Sequence, residues 1–156
     1  MKQYIGTKII EAEPALRIDG EKVQAPNQPI RNGAKVEEGY RVRYADGYES
    51  WSPKEAFEEA YRPTDCMNFG LAIEAAKKGA KITRRGWNGK GMWVVYRTGY
   101  PDGIPCNKNT ADAVGIPEGS LFKVRPYLQM KCVDGSFQMW LASQSDILAD
   151  DWEVVE

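Results

Sequence analysis

The chain has no histidine in 156 residues. That removes the usual general base near neutral pH and the commonest metal ligand, so an acid–base enzyme here has to rely on carboxylates, lysine or tyrosine. The cysteines number three, Cys66, Cys106 and Cys132, widely separated and without a Cys-x-x-Cys spacing. Neither a disulfide framework nor a zinc site is expected, and the pattern suits a reducing cytoplasm. No stretch approaches the roughly 20 apolar residues of a membrane span, and Met1 to Ile10 is too short and too polar for a signal peptide. The expectation is a soluble protein with no membrane association and no recognisable export signal. Charge of one sign is also lacking: 21 basic residues stand against 22 acidic ones. Without a strong positive field the chain is not expected to bind long nucleic acid. A single phosphate-bearing small molecule stays open, because a local pair such as Arg84 and Arg85 can serve it. Gly-x-Ser-x-Gly, Walker, Rossmann and His-based metal motifs are all missing, so no catalytic residue, metal site or cofactor is assigned.

What is present is an ordinary globular balance, 42% hydrophobic and 28% charged. A boundary falls near Arg62-Pro63-Thr64-Asp65, where one helical stretch ends and a new helix start follows. This divides the chain into an accessory module, 1–65, and a ligand-binding domain, 66–156. In the module, Tyr4 to Ile10 reads as a strand and Glu11 to Glu38, rich in Pro, Gly, Asn and Gln, reads as loop. Tyr40 to Tyr44 and Tyr48 to Trp51 flank Asp46-Gly47, a turn dipeptide tolerant of positive φ, and predict a hairpin with Tyr40, Tyr44 and Tyr48 on one face. Ser52 as N-cap, Pro53 at the first helical position and Glu55 closing a capping box predict a helix from Pro53 to Tyr61.

In the second part Asn68 is an N-cap, and Phe69, Ala72, Ile73 and Ala76 share one helix face that Gly79 ends. Lys81–Arg85 and Met92–Thr98 read as strands joined across Gly86–Gly91, and Gly99–Gly119 as an irregular insertion. Tyr127–Val133 and Ser136–Leu141 form a hairpin about Asp134-Gly135. Ser143 caps a short helix with Asp146, and Trp152–Val155 makes a last strand. The fold class is α+β: a small antiparallel β-sheet packed with one main α-helix, preceded by a small β-hairpin plus helix module.

Two segments carry unusual chemistry. Gly86-Trp87-Asn88-Gly89-Lys90-Gly91 sets a large aromatic among glycines that let a ligand approach the backbone. Trp87 there either offers a stacking surface or folds back as a core plug. Arg84 and Arg85 alternate across a strand, so they face opposite sides. Trp140-Leu141-Ala142-Ser143-Gln144-Ser145-Asp146 runs a strand into a capped helix start, whose free amides attract phosphate or ribose hydroxyls unless Ser143 simply caps its own helix. Arg125 beside Pro126 and Tyr127 is either a phosphate contact or plain surface. Asp150-Asp151 reads as solvated charge rather than a cation site.

Met67-Asn68-Phe69-Gly70, Arg85-Gly86-Trp87-Asn88-Gly89, Arg125-Pro126-Tyr127, Trp140-Leu141-Ala142-Ser143-Gln144 with Asp146, and Asp150-Asp151-Trp152 together resemble the Thoeris anti-defence 2 family of phage proteins over residues 67–156. The resemblance implies a non-enzymatic homotetramer, acting in the cytoplasm of an infected bacterium, that sequesters a cyclic ADP-ribose-type immune signal and in some members cyclic dinucleotides. It implies Phe69 and Trp87 against the adenine, with Asn68, Asn88, Arg125, Ser143, Gln144 and Asp146 for ribose and phosphate. Met92, Tyr127 and Trp140 then line the walls. The alternatives are an enzyme that opens such a ligand with carboxylates and a lysine, and a phage structural or interaction protein without a small ligand. Tyr4 to Lys8 and Gly47 to Lys54 look like an accessory module that precedes several kinds of phage domain, expected to assist assembly or add to the pocket.

Overall fold

The computed structural model describes residues 1–155. The chain divides into two compact units, Met1–Pro63 and Thr64–Glu156, and its antiparallel sheets and short helices make it α+β.

The first unit is a four-stranded sheet, β1 (Glu11–Ile18), β2 (Lys22–Gln24), β3 (Val36–Arg43) and β4 (Glu49–Pro53), in the order β2-β1-β3-β4, with helix α1 (Lys54–Ala60). The Asp46-Gly47 hairpin forms, with Gly47 at φ 85°. Tyr40 leaves the expected tyrosine row to stack on Phe57 of α1 at 4.1 Å, while Tyr44 stacks on Tyr48. Three expectations are corrected. Tyr4–Ile10 has no regular structure: β1 begins only at Glu11, opposite Arg43, the residue at which β3 ends before the Asp46-Gly47 turn. Residues 11–38 are not loop throughout: β1, β2 and the start of β3 lie there, β1 and β2 joined through Asp19 and Gly20, both at positive φ, and the loop reading holds only for 19–21 and 25–35. Pro14 fits β1 because β2 reaches only Leu16–Ile18, so at Pro14 one side of the strand is free of a ladder partner. Ser52 does not cap α1. It pairs with Tyr40 as part of β4, and the helix starts at Lys54 after Pro53 without a side-chain cap.

At Gly39 the sheet requires a missing side chain. The Trp51 indole lies across it, so that a Cβ there would meet the ring at 2.6 Å, and the Arg17 guanidinium covers the indole at 4.0 Å.

The second unit holds a five-stranded sheet in the order β10-β9-β6-β5-β11: β5 (Lys81–Arg84), β6 (Trp93–Arg97), β9 (Tyr127–Lys131), β10 (Phe137–Met139) and β11 (Trp152–Val155). Helix α2 (Phe69–Lys77) starts where expected: the Asn68 side chain accepts the Leu71 N–H at 3.0 Å, and Gly79 turns the chain away at φ 99°. Its alanines Ala72, Ala75 and Ala76 pack on Ile82, Val94, Met130 and Trp152, one inward residue from each of four strands, with Met67 completing the core. Small residues on the helix let it sit close to the sheet.

Residues 99–119 are ordered, not irregular. Strand β7 (Tyr100–Pro105) pairs with β8 (Leu121–Val124), and between them α3 (Lys108–Val114) is capped by Asn107 and ended by Gly115 at φ 74°. The last helix, α4 (Gln144–Ile147), precedes β11. Among the described residues no helix is long and apolar enough to cross a membrane.

Candidate functional site

Strand register decides which side chains meet. Cross-strand partners project to the same side of a sheet, and the pairs Arg84–Trp152, Ile82–Val154, Ile82–Val94 and Val94–Met130 therefore share the α2 side. Trp152 is fully buried on that side and forms the centre of an aromatic group. Trp87 lies 5.4 Å from it, Phe69 5.4 Å and Trp140 6.0 Å, all tilted or edge-to-face. Trp87 and Trp140 also meet directly at 5.8 Å. Edge-to-face geometry suits the ring quadrupoles and leaves part of each outer ring open to solvent, since Phe69, Trp87 and Trp140 are only half-buried. Trp87 is thus neither a free platform nor a core plug: its edge is anchored and part of its surface is exposed.

The anchor is Asp146. Its Oδ1 accepts the Trp87 indole N–H at 2.9 Å and the Arg84 Nη1–H at 2.9 Å. Its Oδ2 accepts the Ser143 backbone N–H at 3.0 Å and the Ser143 hydroxyl at 2.6 Å. Its backbone carbonyl accepts the Trp152 indole N–H at 2.9 Å. Four donors fill the roughly four lone-pair positions of a carboxylate. Burial raises the Asp146 pKa, but the hydrogen bonds from Ser143, Trp87 and Arg84 together outweigh it and lower the pKa to about 2. Asp146 does not present the free carboxylate that a direct ribose contact needs, and Ser143 is committed to the capping box that the two residues form.

Arg84 is held by a second carboxylate. Its Nε donates to Asp151 Oδ1 at 2.8 Å, and Asp151 Oδ2 accepts the Gly86 backbone N–H at 2.7 Å. The Arg84 hydrogen bond first, then that of Gly86, keeps the Asp151 carboxyl below its usual range against the opposing effect of burial. Asp151 is therefore an ion-pair residue, correcting the expectation of solvated charge. Arg85 donates to the Asp65 carbonyl at 2.6 Å and sits 3.6 Å from Glu153. The two arginines differ in kind: Arg84 is partly buried and ion-paired to two carboxylates, Arg85 exposed.

Of the other expected residues, Met92 packs against the core beside the Gly86–Gly91 loop, and its carbonyl accepts the Thr83 hydroxyl. Asn68 uses its side-chain oxygen as the α2 cap. Asn88, Gln144 and Arg125 are exposed, and none has a side-chain hydrogen bond or ion pair among the described residues. Tyr127 pairs with Arg97 on the side of the sheet opposite Leu128 and Met130, away from the tryptophan group. One copy of the chain thus brings Phe69, Trp87, Met92, Trp140, Ser143 and Asp146 together and leaves Tyr127 elsewhere. Trp152 and Asp151 carried no site role in the sequence reading, and Arg84, offered there as a phosphate partner, is instead held between two carboxylates. Alternation in Trp152-Glu153-Val154-Val155 points Trp152 inward, but its pairing with Arg84 depends on sheet order.

The comparisons with known proteins fall on this unit. The Thoeris anti-defense 2-like domain matches residues 67–155, which includes the β7–α3–β8 segment. Thoeris anti-defense 2 of Bacillus phage SP01 is 32% identical over 89 residues, 57% of this chain and 94% of that protein. With more than half of its length matched, the chain belongs to the Thoeris anti-defense 2-like family.

Proposed function

We propose that this protein is a phage anti-defence protein that binds a cyclic nucleotide immune signal, glycocyclic ADP-ribose or a related cyclic dinucleotide, and holds it without cleaving it. The observation that carries this reading is the half-open Phe69, Trp87 and Trp140 surface, fixed from behind by Asp146 and close in sequence to the unpaired side chains of Asn88 and Gln144. The aromatic rings serve the base, while Asn88, Gln144 and the amide of Asn68 serve ribose and phosphate. Arg125 and Tyr127 do not join this surface in one chain. A site shared between copies of a homotetramer accommodates that split, in keeping with the family resemblance. Residues 1–65 then assist assembly, and action in the host cytoplasm follows from the same reading.

Energetics favour a preset site. A sponge needs affinity near nanomolar, about -12 kcal/mol. Stacking contributes roughly 1–3 kcal/mol per base and each hydrogen bond to a charged group about 1.5–3 kcal/mol. Association costs roughly 4–15 kcal/mol, so little remains for ordering loops on binding.

The enzymatic alternative is disfavoured by the state of the carboxylates. Asp146, saturated and with its pKa at about 2, is a poor proton acceptor near neutrality, and the chain has no histidine to replace it. The test is to incubate the protein with glycocyclic ADP-ribose and with cyclic dinucleotides, remove free ligand, denature, and identify what is released by mass spectrometry. Intact ligand is expected. A ring-opened product overturns the proposal in favour of an enzyme, and recovery of nothing from either class favours an interaction protein.

A further inference from the structure

Gly86 is not a glycine for reasons of backbone conformation, since its φ is not in the left-handed region. It is one for reasons of space. A Cβ at this position would lie 2.7 Å from Asp151 Oδ2 and 3.3 Å from Arg84 Nη2. The room is used by a bond from the Gly86 N–H to Asp151 Oδ2. The Asp151 backbone carbonyl accepts the next N–H back, that of Arg85, at 3.1 Å, so one residue on the approach to β11 holds two successive amides at the start of the Trp87 turn. Arg84 then links this attachment to the one at the indole, reaching Asp151 with Nε and Asp146 with Nη1. Both of these side chains are more enclosed than an ordinary surface pair: Arg84 is 15% exposed and Asp146 10%.

Resting on the ligand site proposed above, we infer that Asp151, acting through Arg84 and Asp146, is a positioning residue that holds the Trp87 turn in its ligand-receiving conformation before ligand arrives. It touches no ligand itself. A turn carrying Gly86, Gly89 and Gly91 has wide conformational freedom when untethered, and a binding surface that is only fractionally populated loses apparent affinity in proportion to that fraction. The loss appears in association. Once the complex has formed, the contacts between ring and base are those of the native protein, and the dissociation rate is preserved.

The test uses the full chain with glycocyclic ADP-ribose as probe and two independent variants. Asp151→Asn weakens the carboxylate attachment, and Gly86→Ala pushes the carboxylate away without removing it. Far-UV circular dichroism verifies the fold of each. In ligand-free protein the Trp87 indole N–H resonance, assigned by its loss in Trp87→Phe, is expected to shift or broaden in both variants. Stopped-flow binding is expected to show association at least tenfold slower and dissociation changed less than twofold, with Asp151→Glu recovering part of the association rate. Unchanged association with faster dissociation overturns the inference, because that pattern belongs to a residue in direct contact. An unchanged Trp87 resonance in both variants also overturns it. Failure of the unmodified protein to bind the probe counts against the proposed function, while the ligand-free resonance still decides whether Asp151 positions the turn.

Discussion

Titrating Asp146 should remove a defined share of the stability of the second unit. The ordinary aspartate pKa of 3.8 falls to about 2 in the folded chain. A carboxyl with a lowered folded pKa contributes stability that is complete above its unfolded value and is lost as pH falls through the folded one. The window is therefore between about pH 4 and pH 2. At 1.36 kcal/mol per pH unit the contribution is about 2 kcal/mol, a large part of a net stability of roughly 5–15 kcal/mol. Asp151 shares Arg84 and its carboxyl is also held below the usual range, so the quantity to measure is the difference between the native chain and Asp146→Asn. In either orientation an asparagine amide turns its NH₂ toward existing donors, Ser143 on one side or Trp87 and Arg84 on the other. The variant should be less stable at pH 7 by about 3 kcal/mol, as when one partner of a buried ion pair is removed. Urea titrations followed by tryptophan fluorescence at pH 7, 4, 3 and 2 give both stabilities. The gap should hold from pH 7 to 4 and close by about 2 kcal/mol toward pH 2. A gap of constant size across that range refutes the assignment of Asp146 as a buried, ionised anchor.

Other perturbations test separate parts of the structure. Trp87→Ala should abolish binding of glycocyclic ADP-ribose by isothermal titration calorimetry while leaving the oligomeric state seen by light scattering unchanged; unaltered affinity removes Trp87 from the site. Gly39→Ala sets a Cβ against the Trp51 ring and the Ser52 carbonyl, and should destabilise the first unit by about 3 kcal/mol, the upper end for overpacking, in denaturant melts. Gly99→Ala combines a φ of 74° with a Cβ driven into the Val124 carbonyl. It should cost at least about 1–2 kcal/mol from the left-handed backbone alone and expose the β7–β8 amides to hydrogen exchange; native-like protection there contradicts the strained-turn reading.

Much of the second unit was legible because its signals are local. Asn68 followed by Phe69, Ala72, Ile73 and Ala76 needs only about two turns of helix to be read, and Asp134-Gly135 fixes a hairpin by the φ values it tolerates. The same dipeptide at Asp19-Gly20 marks the β1–β2 turn. It was masked by Pro14 and by the absence of alternation around it, features a strand tolerates where only one neighbour pairs with it. Helix α3 was hidden by its length: seven residues with an Asn107 cap and a Gly115 stop carry too little periodicity to stand out between turns. Tyr4–Ile10 failed in the opposite direction, since aromatic and β-branched residues favour a strand only where a partner strand exists.

The site divides along the same line. Ser143 and Asp146, three residues apart, announce a capping box, and the structure has one. That Asp146 also receives Trp87 and Arg84 from about 60 residues away depends on β5 lying beside β11, which no local pattern states. This non-local closure bears on how a phosphate-bearing ligand is to be read. Arg84 carries one positive charge against the two negative charges of Asp146 and Asp151, so the ground beneath Trp87 is net negative and repels phosphate. On the proposed function, the base and the phosphates must then be recognised by different parts of the protein. The base meets the rings over Asp146, and the phosphates, besides the neutral side chains of Asn88, Gln144 and Asn68, meet cations outside the cluster, where Arg125 and Lys90 are exposed and unpaired among the described residues. Charge reversal at Arg125 should therefore weaken binding with a reduced salt dependence, whereas Arg84→Lys, which cannot span two carboxylates with a planar fork, should weaken it with the salt dependence intact.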